Sequence, residues 1–288
     1  MDVTSKGYLV IGTGDFPAVA KMMGLKGHNA KLPCRYCLIE GINKGSGNSM
    51  YFPLHFPHGR PLKSNTGVLA QSTMNYNITE IMDSTSLLAR TPENMLATFS
   101  QIHKMESSSR TSTVKLELFK KSTGINHQTI LTKLPTMIPP DCFPLDVMHL
   151  IILNVFCQMF SHWNGNFFKT ENSLDNSFKQ QGYELTNATW VAIGRETENN
   201  KSCLPLSFGS PCRDINKFWK GFKAEEWQNW MLRLSVPLLT GFLPDQYLKP
   251  WSRFVSSVRV LLDVSSKTKE ELDFIEKKIQ SFYEHYER

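Results

Sequence analysis

The sequence predicts an α/β protein in which helices predominate. One short apolar run rich in β-branched residues, at positions 7–13, is typical of a buried strand. Several longer segments carry apolar residues at helical spacing instead. With 288 residues, of which 41% are hydrophobic and 20% charged, the chain has ordinary globular composition. Neither disorder nor a fibrous repeat is expected, and the length allows one large domain or two small ones.

The N-terminal region is predicted to run from strand to helix to loop. The strand at residues 7–13 ends just before Asp15, which is a favourable N-cap for a helix over residues 16–23. Gly24 ends that helix. Residues 27–37 then form a tight loop with two cysteines in it.

The middle of the chain is predicted to alternate between irregular and helical segments. Residues 41–77 are rich in Gly, Asn, Ser and Pro and are expected to be irregular. Helices follow over residues 77–108, the second of them starting at Pro92. Residues 134–144 hold four prolines and cannot form regular structure. They lead into an apolar helix over residues 145–162.

The C-terminal part is predicted to be helical after a polar surface segment at residues 164–189. Residues 223–240 form an amphipathic helix with two tryptophans on its apolar face. Further helices follow at residues 251–264 and 269–288. The longest apolar stretch, near residues 150–156, is well short of the roughly 18 residues that a membrane-spanning helix needs.

The charge and the cysteines restrict the classes of partner. The formal net charge is +6, which permits contact with nucleic acid without requiring it. Four of the six cysteines are isolated and are expected to be small buried side chains. Cys34 and Cys37 are separated by two residues, a spacing that lets both sulfurs face one metal ion.

Three blocks of sequence carry a family resemblance. They are GDFPAVAKMMGLKGHNAKLPCRYC at residues 14–37, FPLDVMHLIILNVF at 143–156, and FKAEEWQNWML at 222–232. In this order they resemble the transposases of CACTA-type (En/Spm-like) DNA transposons, with the fungal branch most similar. The resemblance covers most of residues 7–255.

The resemblance implies a DDE/D transposase with an RNase H-like catalytic core that a large α-helical insertion interrupts. On this basis residues 1–40 are expected to be part of that core, with the cysteine loop at its end. Residues 41–222 are expected to form the insertion, and residues 223–288 the helices that return to the core. Such enzymes cut and join DNA strands with two divalent ions held by three carboxylates, so Mg²⁺ or Mn²⁺ is expected.

Candidate catalytic carboxylates follow from the resemblance. Asp15 matches the second acidic residue of the triad. Its alternative role is a plain helix N-cap. Glu225 or Glu226 is preferred over Asp146 as the third carboxylate, and the alternative for both glutamates is a solvated first turn of a helix.

A structural Zn²⁺ site is a second expectation. Cys34, Cys37 and His149 are candidate ligands, with Asp146 or His28 as the fourth. Asp146 and His149 are three residues apart, which would place them on one face of a helix. Two further histidines after the cysteine loop are His55 and His58. The alternative is a cysteine pair without metal.

The predicted function is therefore that of a fragment or remnant of a cut-and-paste DNA transposase. The chain is expected to be truncated at both ends and inactive alone, because the strand with the first catalytic aspartate would precede Met1. Lys26, Lys31 and Arg35 are candidate phosphate contacts, or simply a solvated surface. The alternative function is a non-catalytic, zinc-stabilised module that binds DNA or protein. The expected partners are transposon-end DNA in the nucleus and further copies of the chain; neither a membrane nor a small-molecule substrate is expected.

Overall fold

The computed structural model describes residues 7–43, 50–52, 89–167 and 182–287. Most of these residues are helical, which confirms the prediction that helices predominate. The chain divides into two compact units, Met1–Asp146 and Val147–Tyr286, called unit 1 and unit 2 below. The domain limits predicted at residues 40 and 222 stay predictions.

Unit 1 combines helices with one small pair of strands. Its elements are α1 (Phe16–Met22), β1 (Ile42–Asn43), β2 (Met50–Tyr51), α2 (Pro92–Ser107), α3 (Thr113–Thr123) and the 3-10 turn Ile130–Lys133. The two strands are antiparallel, with Ile42 opposite Tyr51. The predicted irregular structure of residues 134–144 is confirmed. Much of the irregular segment 41–77, and residues 77–88 of the predicted helical region, lie outside the described residues.

The helices of unit 1 begin where the sequence predicts. Asp15 accepts a hydrogen bond from the Ala18 N–H at 2.7 Å and caps α1. Thr91 and Asn94 form a reciprocal capping box at the start of α2. Thr91 is the N-cap, and Asn94 lies in the first turn, which also contains Pro92. These local bonds satisfy backbone donors that no helix can satisfy internally, so they determine where each helix begins.

The core of unit 1 lies between α1, α2 and the irregular segment that follows α3. Met95, Phe99 and Ile102 are fully buried and lie on one face of α2, since they are spaced at helical intervals. They belong to a cluster with apolar residues of the other segments. Its members are Val19, Ala20, Met23, Leu25, Met95, Phe99, Ile102, Ile125, Met137, Cys142 and Phe143.

The predicted buried strand at residues 7–13 is wrong. These residues form no strand, and Tyr8, Val10 and Ile11 are between 57% and 69% exposed. An apolar run becomes a strand only when a neighbouring backbone accepts and donates hydrogen bonds along it. Here the Gly12 N–H donates to the Cys142 carbonyl at 2.9 Å, and the side chain of Thr136 donates to the carbonyl of Leu9.

Unit 2 is a cluster of short and long helices. It begins with a π-helix (Met148–Val155) that continues into α4 (Phe156–Trp163). The later elements are α5 (Asn187–Asn199), α6 (Ile215–Phe218), α7 (Ala224–Asn229), a second π-helix (Trp230–Leu234), α8 (Ser235–Leu239), α9 (Asp245–Leu262) and α10 (Lys269–Glu287). Short 3-10 segments lie at Asn200–Cys203, Leu206–Phe208 and Trp219–Gly221. The prediction of helices over most of residues 145–162 and 223–288 is confirmed.

The helix of the second sequence block starts later than predicted. It begins as a π-helix at Met148, so Asp146 precedes it and belongs to unit 1, whereas His149 belongs to unit 2. The expected placement of Asp146 and His149 on one α-helical face is therefore wrong, because Asp146 lies before the helix begins.

The core of unit 2 is built from aromatic rings. All six tryptophans of the chain lie in unit 2. Phe160 is near its centre, with ring centroids 4.8 Å from Trp190, 5.5 Å from Trp227 and 6.2 Å from Trp230. Trp230 is fully buried, and its indole N–H donates to the Thr197 hydroxyl at 3.0 Å. Trp227 is also buried, so the two tryptophans on the apolar face of the predicted helix at residues 223–240 both lie in the core.

Among the described residues, every helix is too short or too polar to span a bilayer.

Candidate functional site

Asp15 lies at the N-terminus of α1, between the extended residues 7–14 and the helix. Its carboxylate is half-buried, and one oxygen accepts the Ala18 N–H. The structure therefore gives Asp15 the capping role that was the alternative to catalysis. Capping occupies one carboxylate oxygen, and an N-cap carboxylate is further stabilised by the positive end of the helix dipole.

Arg35 connects the cysteine loop to the start of α1 and to the second sequence block. Its side chain is buried, and it donates to the carbonyls of Phe143 at 3.3 Å and Pro144 at 3.0 Å. Its guanidinium also lies over the Phe16 ring, 5.8 Å from the centroid. The predicted phosphate contact at Arg35 is thus not available in this structure, because these internal contacts use the guanidinium.

Tyr36 strengthens the same junction. Its hydroxyl donates to the Phe143 carbonyl at 2.7 Å. The carbonyl of Phe143 therefore accepts from two consecutive side chains of the cysteine loop. In this way the end of the first sequence block is bound to the beginning of the second one.

Arg90 holds the cysteine loop from its other side. It is 6% exposed, and its guanidinium donates to the Cys34 carbonyl at 2.8 Å and the Leu32 carbonyl at 3.3 Å. The backbone N–H of Arg90 donates to the Tyr36 carbonyl at 2.8 Å. Gly124, with φ of +71°, lies so close to the Leu32 carbonyl that a Cβ atom would collide with it. The loop is therefore fixed by contacts that are remote in sequence.

The two thiols of the loop are neighbours and differ in acidity. The hydrogen bond from Cys37 lowers the pKa of the Cys34 thiol to about 6, against the effect of burial. The Tyr36 N–H, 3.4 Å from the Cys34 sulfur, and the positive charge of Arg90 lower this pKa further. The same thiol–thiol hydrogen bond, together with burial, raises the pKa of Cys37. Both side chains are half-buried and remain accessible to solvent.

The described residues offer two of the four ligands that a structural Zn²⁺ site needs. Cys34 and Cys37 meet, but no group of three or more His, Cys, Asp or Glu side chains that could hold a metal is found in the described part of the chain. His28 is an exposed residue. His149 lies in unit 2 and the two cysteines in unit 1, and the proposed ligands His149, Asp146 and His28 stay predictions. His55 and His58 lie outside the described residues, and zinc stays a prediction.

Glu226 has a structural role. Arg213 donates to both of its carboxylate oxygens at 2.7 Å, and the Lys223 N–H donates to one of them at 3.0 Å. Burial alone would raise the pKa of Glu226, but these hydrogen bonds and the charge of Arg213 lower it. The side chain is 5% exposed. The predicted role as a metal ligand is not supported by this environment, because every oxygen is already bonded within unit 2.

Glu225 is the exposed member of the pair. Its carboxylate lies against Gly209, where the backbone has φ of +83° and a Cβ atom would collide with it. Glu225 lies in unit 2 and Asp15 in unit 1. Neither of them joins a cluster of three carboxylates among the described residues, and the fit to Mg²⁺ or Mn²⁺ is incomplete.

The two predicted phosphate-binding lysines are paired at the surface of unit 1. The ammonium of Lys26 lies 3.1 Å from the Glu117 carboxylate, and that of Lys31 contacts Glu40. Surface ion pairs of this kind contribute only ~0–1 kcal/mol, so a phosphate can compete for these lysines.

Arg90 and Arg213 are the residues that the sequence analysis missed. Both form hydrogen bonds to residues that are remote in the sequence, and no local sequence pattern predicts such a contact. The signal for Arg213 was weak: a capping glutamate at Glu226 on a helix whose first turn is acidic. For Arg90, the adjacent Thr91-Pro92 helix start indicated a structured position but gave no partner.

Comparison with family models, with curated proteins and with solved structures finds no match to this chain.

Proposed function

We propose that this chain is part of a CACTA-type cut-and-paste DNA transposase, or a remnant of one, that binds DNA in the nucleus but does not cut it alone. The three sequence blocks carry the family assignment, and the contacts between consecutive blocks support it. The finer fold, a partial RNase H-like core with a helical insertion, belongs to the same proposal.

The single observation that supports this proposal best is that consecutive blocks contact each other. The first block meets the start of the second through Arg35 and Tyr36, which donate to Phe143 and Pro144. The π-helix Met148–Val155 of the second block packs against α7 of the third block, and Ile152, Phe156 and Trp227 share one buried cluster. Segments recognised independently in the sequence thus form two packed junctions, one within each unit.

The expected lack of cleavage follows from the carboxylates. Two-metal catalysis requires carboxylate oxygens that are available to the ions. Glu226 has both oxygens bonded to Arg213, and Asp15 has one bonded to the N-terminus of α1. No catalytic step is assigned to these residues.

DNA binding tests the proposal directly. Fluorescence anisotropy of a labelled random-sequence duplex, titrated with the chain at several NaCl concentrations, should show affinity that falls as salt rises. A denaturing gel of the same mixtures, with MgCl₂, MnCl₂ or EDTA, should show intact strands. Absence of binding at low salt would reject the proposed function, and metal-dependent cleavage would reject its inactive form.

Charge variants locate the DNA surface. We expect Lys26→Ala with Lys31→Ala to weaken binding and to reduce the slope of log K against log salt by roughly 2, about one per lost phosphate contact. The matched control is Lys249→Ala, a surface lysine paired with Asp245 in unit 2. An equal effect of the control would show that the binding is not localised at the lysines of unit 1.

Two substitutions separate the metal role of Asp15 from its capping role. Asp15→Asn keeps a good N-cap but removes the negative charge, whereas Asp15→Ala removes both. If Asp15 holds a divalent ion near DNA, both variants lose any Mg²⁺ dependence of DNA binding, while only Asp15→Ala lowers the melting temperature. If Asp15 is only a cap, Asp15→Asn behaves like the parent in both measurements.

A further inference from the structure

One segment of unit 2 combines basic and aromatic residues more densely than a structural role requires. Residues 213–223, RDINKFWKGFK, hold four basic and three aromatic side chains but one acidic one. We call this stretch the basic-aromatic segment. It comprises α6, the 3-10 turn Trp219–Gly221 and the two residues that lead into α7. Cations interleaved with aromatic rings are typical of surfaces that bind single-stranded nucleic acid.

The carboxylates that neutralise part of this charge are buried. Asp214 is 4% exposed, caps the start of α6 and pairs with the Lys217 ammonium at 3.0 Å. Glu226, at the start of α7, is buried and is bonded to Arg213. Lys217 itself is exposed. The segment therefore presents positive charge to solvent, with the negative charge beneath it.

Two further lysines are exposed and lack a carboxylate partner. Neither Lys220 nor Lys223 forms an ion pair within the part of the chain that the structure describes. The exposed glutamate that follows them, Glu225, has its carboxylate against Gly209 instead. These two ammonium groups are therefore available to phosphate groups of a ligand.

Phe218 supplies an exposed ring among these cations. It is 45% exposed, although Ile215 before it and Phe222 after it are buried. The Arg213 guanidinium lies 5.5 Å from the centroid of the Phe218 ring and 5.6 Å from that of Phe222. Since Arg213 is itself bonded to Glu226, the ring of Phe218 borders a fixed cation.

Trp219 connects the segment to the core of unit 2. Its ring centroid lies 5.4 Å from that of Phe160, a fully buried residue of the aromatic core. The Lys220 ammonium lies 5.6 Å from the centroid of the same indole ring. Core packing thus fixes the turn that carries Phe218 and Lys220, so that the exposed ring and the cation are presented together.

We propose that the basic-aromatic segment binds a single-stranded nucleic acid, with the Phe218 ring stacking on an unpaired base and Lys220 and Lys223 contacting phosphates. The exposed ring beside unpaired cations carries this inference. In a duplex the bases are already stacked on each other, so only an unpaired strand offers a base to the ring. The surface belongs to unit 2, and the inference does not rest on the duplex binding proposed for the lysines of unit 1.

Fluorescence anisotropy with two matched oligomers tests the stacking contact. One is a labelled oligothymidylate of about 15 nucleotides, which spans a single-strand binding site and forms no base pairs. The other has the same length and the same phosphates but lacks the bases. We expect the parent to bind the first oligomer about fivefold or more tightly than the second. An oligouridylate of equal length shows whether the surface prefers DNA or RNA.

Substitutions of Phe218 locate the stacking contact. Phe218→Ala should weaken oligothymidylate binding by about 5- to 100-fold and leave the affinity for the oligomer without bases unchanged. Phe218→Tyr keeps a flat ring and should behave like the parent. Phe242→Ala is the matched control, because it removes another exposed ring of unit 2, 49% exposed, that lies outside the segment.

Substitutions of the lysines separate charge from stacking. Lys220→Ala combined with Lys223→Ala should weaken binding of both oligomers alike. The slope of log K against log salt should fall by roughly 1.4, about 0.7 per lost phosphate contact on a single strand. Lys249→Ala, the surface lysine used above as a control, should change neither the affinity nor the slope. Far-UV circular dichroism shows whether each variant is folded.

Three results would overturn the inference. They are no binding of oligothymidylate at low salt, equal affinity of the parent for the two oligomers, and equal effects of Phe218→Ala and Phe242→Ala. Duplex binding separates this inference from the proposed function. Loss of duplex binding with stacking-dependent oligothymidylate binding retained rejects the proposed function alone, whereas duplex binding without any effect of Phe218→Ala on oligothymidylate rejects this inference alone.

Discussion

Unit 1 and unit 2 are held together by different kinds of interaction. In unit 2, long apolar side chains pack along helices, and Phe160 alone contacts four tryptophan rings. In unit 1, the candidate site lies on loops that buried arginines tie together through backbone carbonyls. Burial of apolar area tolerates small shifts, whereas a buried guanidinium needs its acceptors at hydrogen-bonding distance. Apolar packing therefore stabilises unit 2, whereas hydrogen bonds from buried arginines fix the position of the cysteine loop in unit 1.

The largest effect is expected from breaking the aromatic core of unit 2. Trp230→Ala removes a fully buried ring and leaves the Thr197 hydroxyl without its indole donor. We expect the free energy of unfolding to fall by ~3–5 kcal/mol. Urea unfolding followed by tryptophan fluorescence measures this effect, because all tryptophans lie in unit 2.

The control for this variant is Phe242→Ala, which truncates an aromatic side chain that is 49% exposed. We expect a change within ~0.5 kcal/mol. Equal destabilisation by the two substitutions would contradict the assignment of Trp230 to the core.

A smaller effect is expected from breaking the junction of unit 1. Arg35→Met keeps the length of the side chain but leaves the Phe143 and Pro144 carbonyls without their charged donor. We expect the free energy of unfolding to fall by about 2–3 kcal/mol. Maleimide should also label Cys34 and Cys37 faster, because the loop loses one of its hydrogen-bonded anchors. Arg110→Met, at an exposed position after α2, is the control. If both variants label at the same rate as the parent, the anchor role of Arg35 is wrong.

The smallest effect is a pH dependence within unit 2. His162 is 8% exposed, and its ring bonds to the Tyr286 hydroxyl at 3.0 Å. Burial lowers the pKa of His162 to about 4, whereas an unfolded chain takes up this proton near pH 6.5. The unfolded state therefore binds more protons below pH 6.5, and stability falls as the pH drops through this range. We expect the free energy of unfolding to fall by about 2 kcal/mol between pH 7 and pH 5.

This dependence should disappear in His162→Gln, measured by fluorescence-detected urea unfolding at both pH values. His103→Gln, at an exposed position on α2, should keep it. A parent protein that is equally stable at pH 7 and pH 5 would show that His162 is not buried in its neutral form.

Local signals predicted the helices well and the contacts between them poorly. The caps at Asp15 and Thr91 and the apolar face of α2 are visible in sequence, since each depends on residues within a few positions. The sequence analysis assigned no element to α5, although Trp190, Ile193 and Thr197 share a buried face there. The run at residues 7–13 has the composition of a strand but lacks the partner backbone that would make it one.

The sequence by itself determined a mostly helical chain, the start of α1 at Asp15, the closeness of Cys34 to Cys37 and the apolar faces of the C-terminal helices. These features arise from propensity, capping and periodicity, which act over a few residues. Only the tertiary structure decided that Arg35 is internal, that Arg213 neutralises Glu226, and that Arg90 lies beside the thiols. The residues in these contacts are between 13 and 108 positions apart in the sequence. Whether such a hydrogen bond forms depends on where folding places the two partners, which no local pattern encodes.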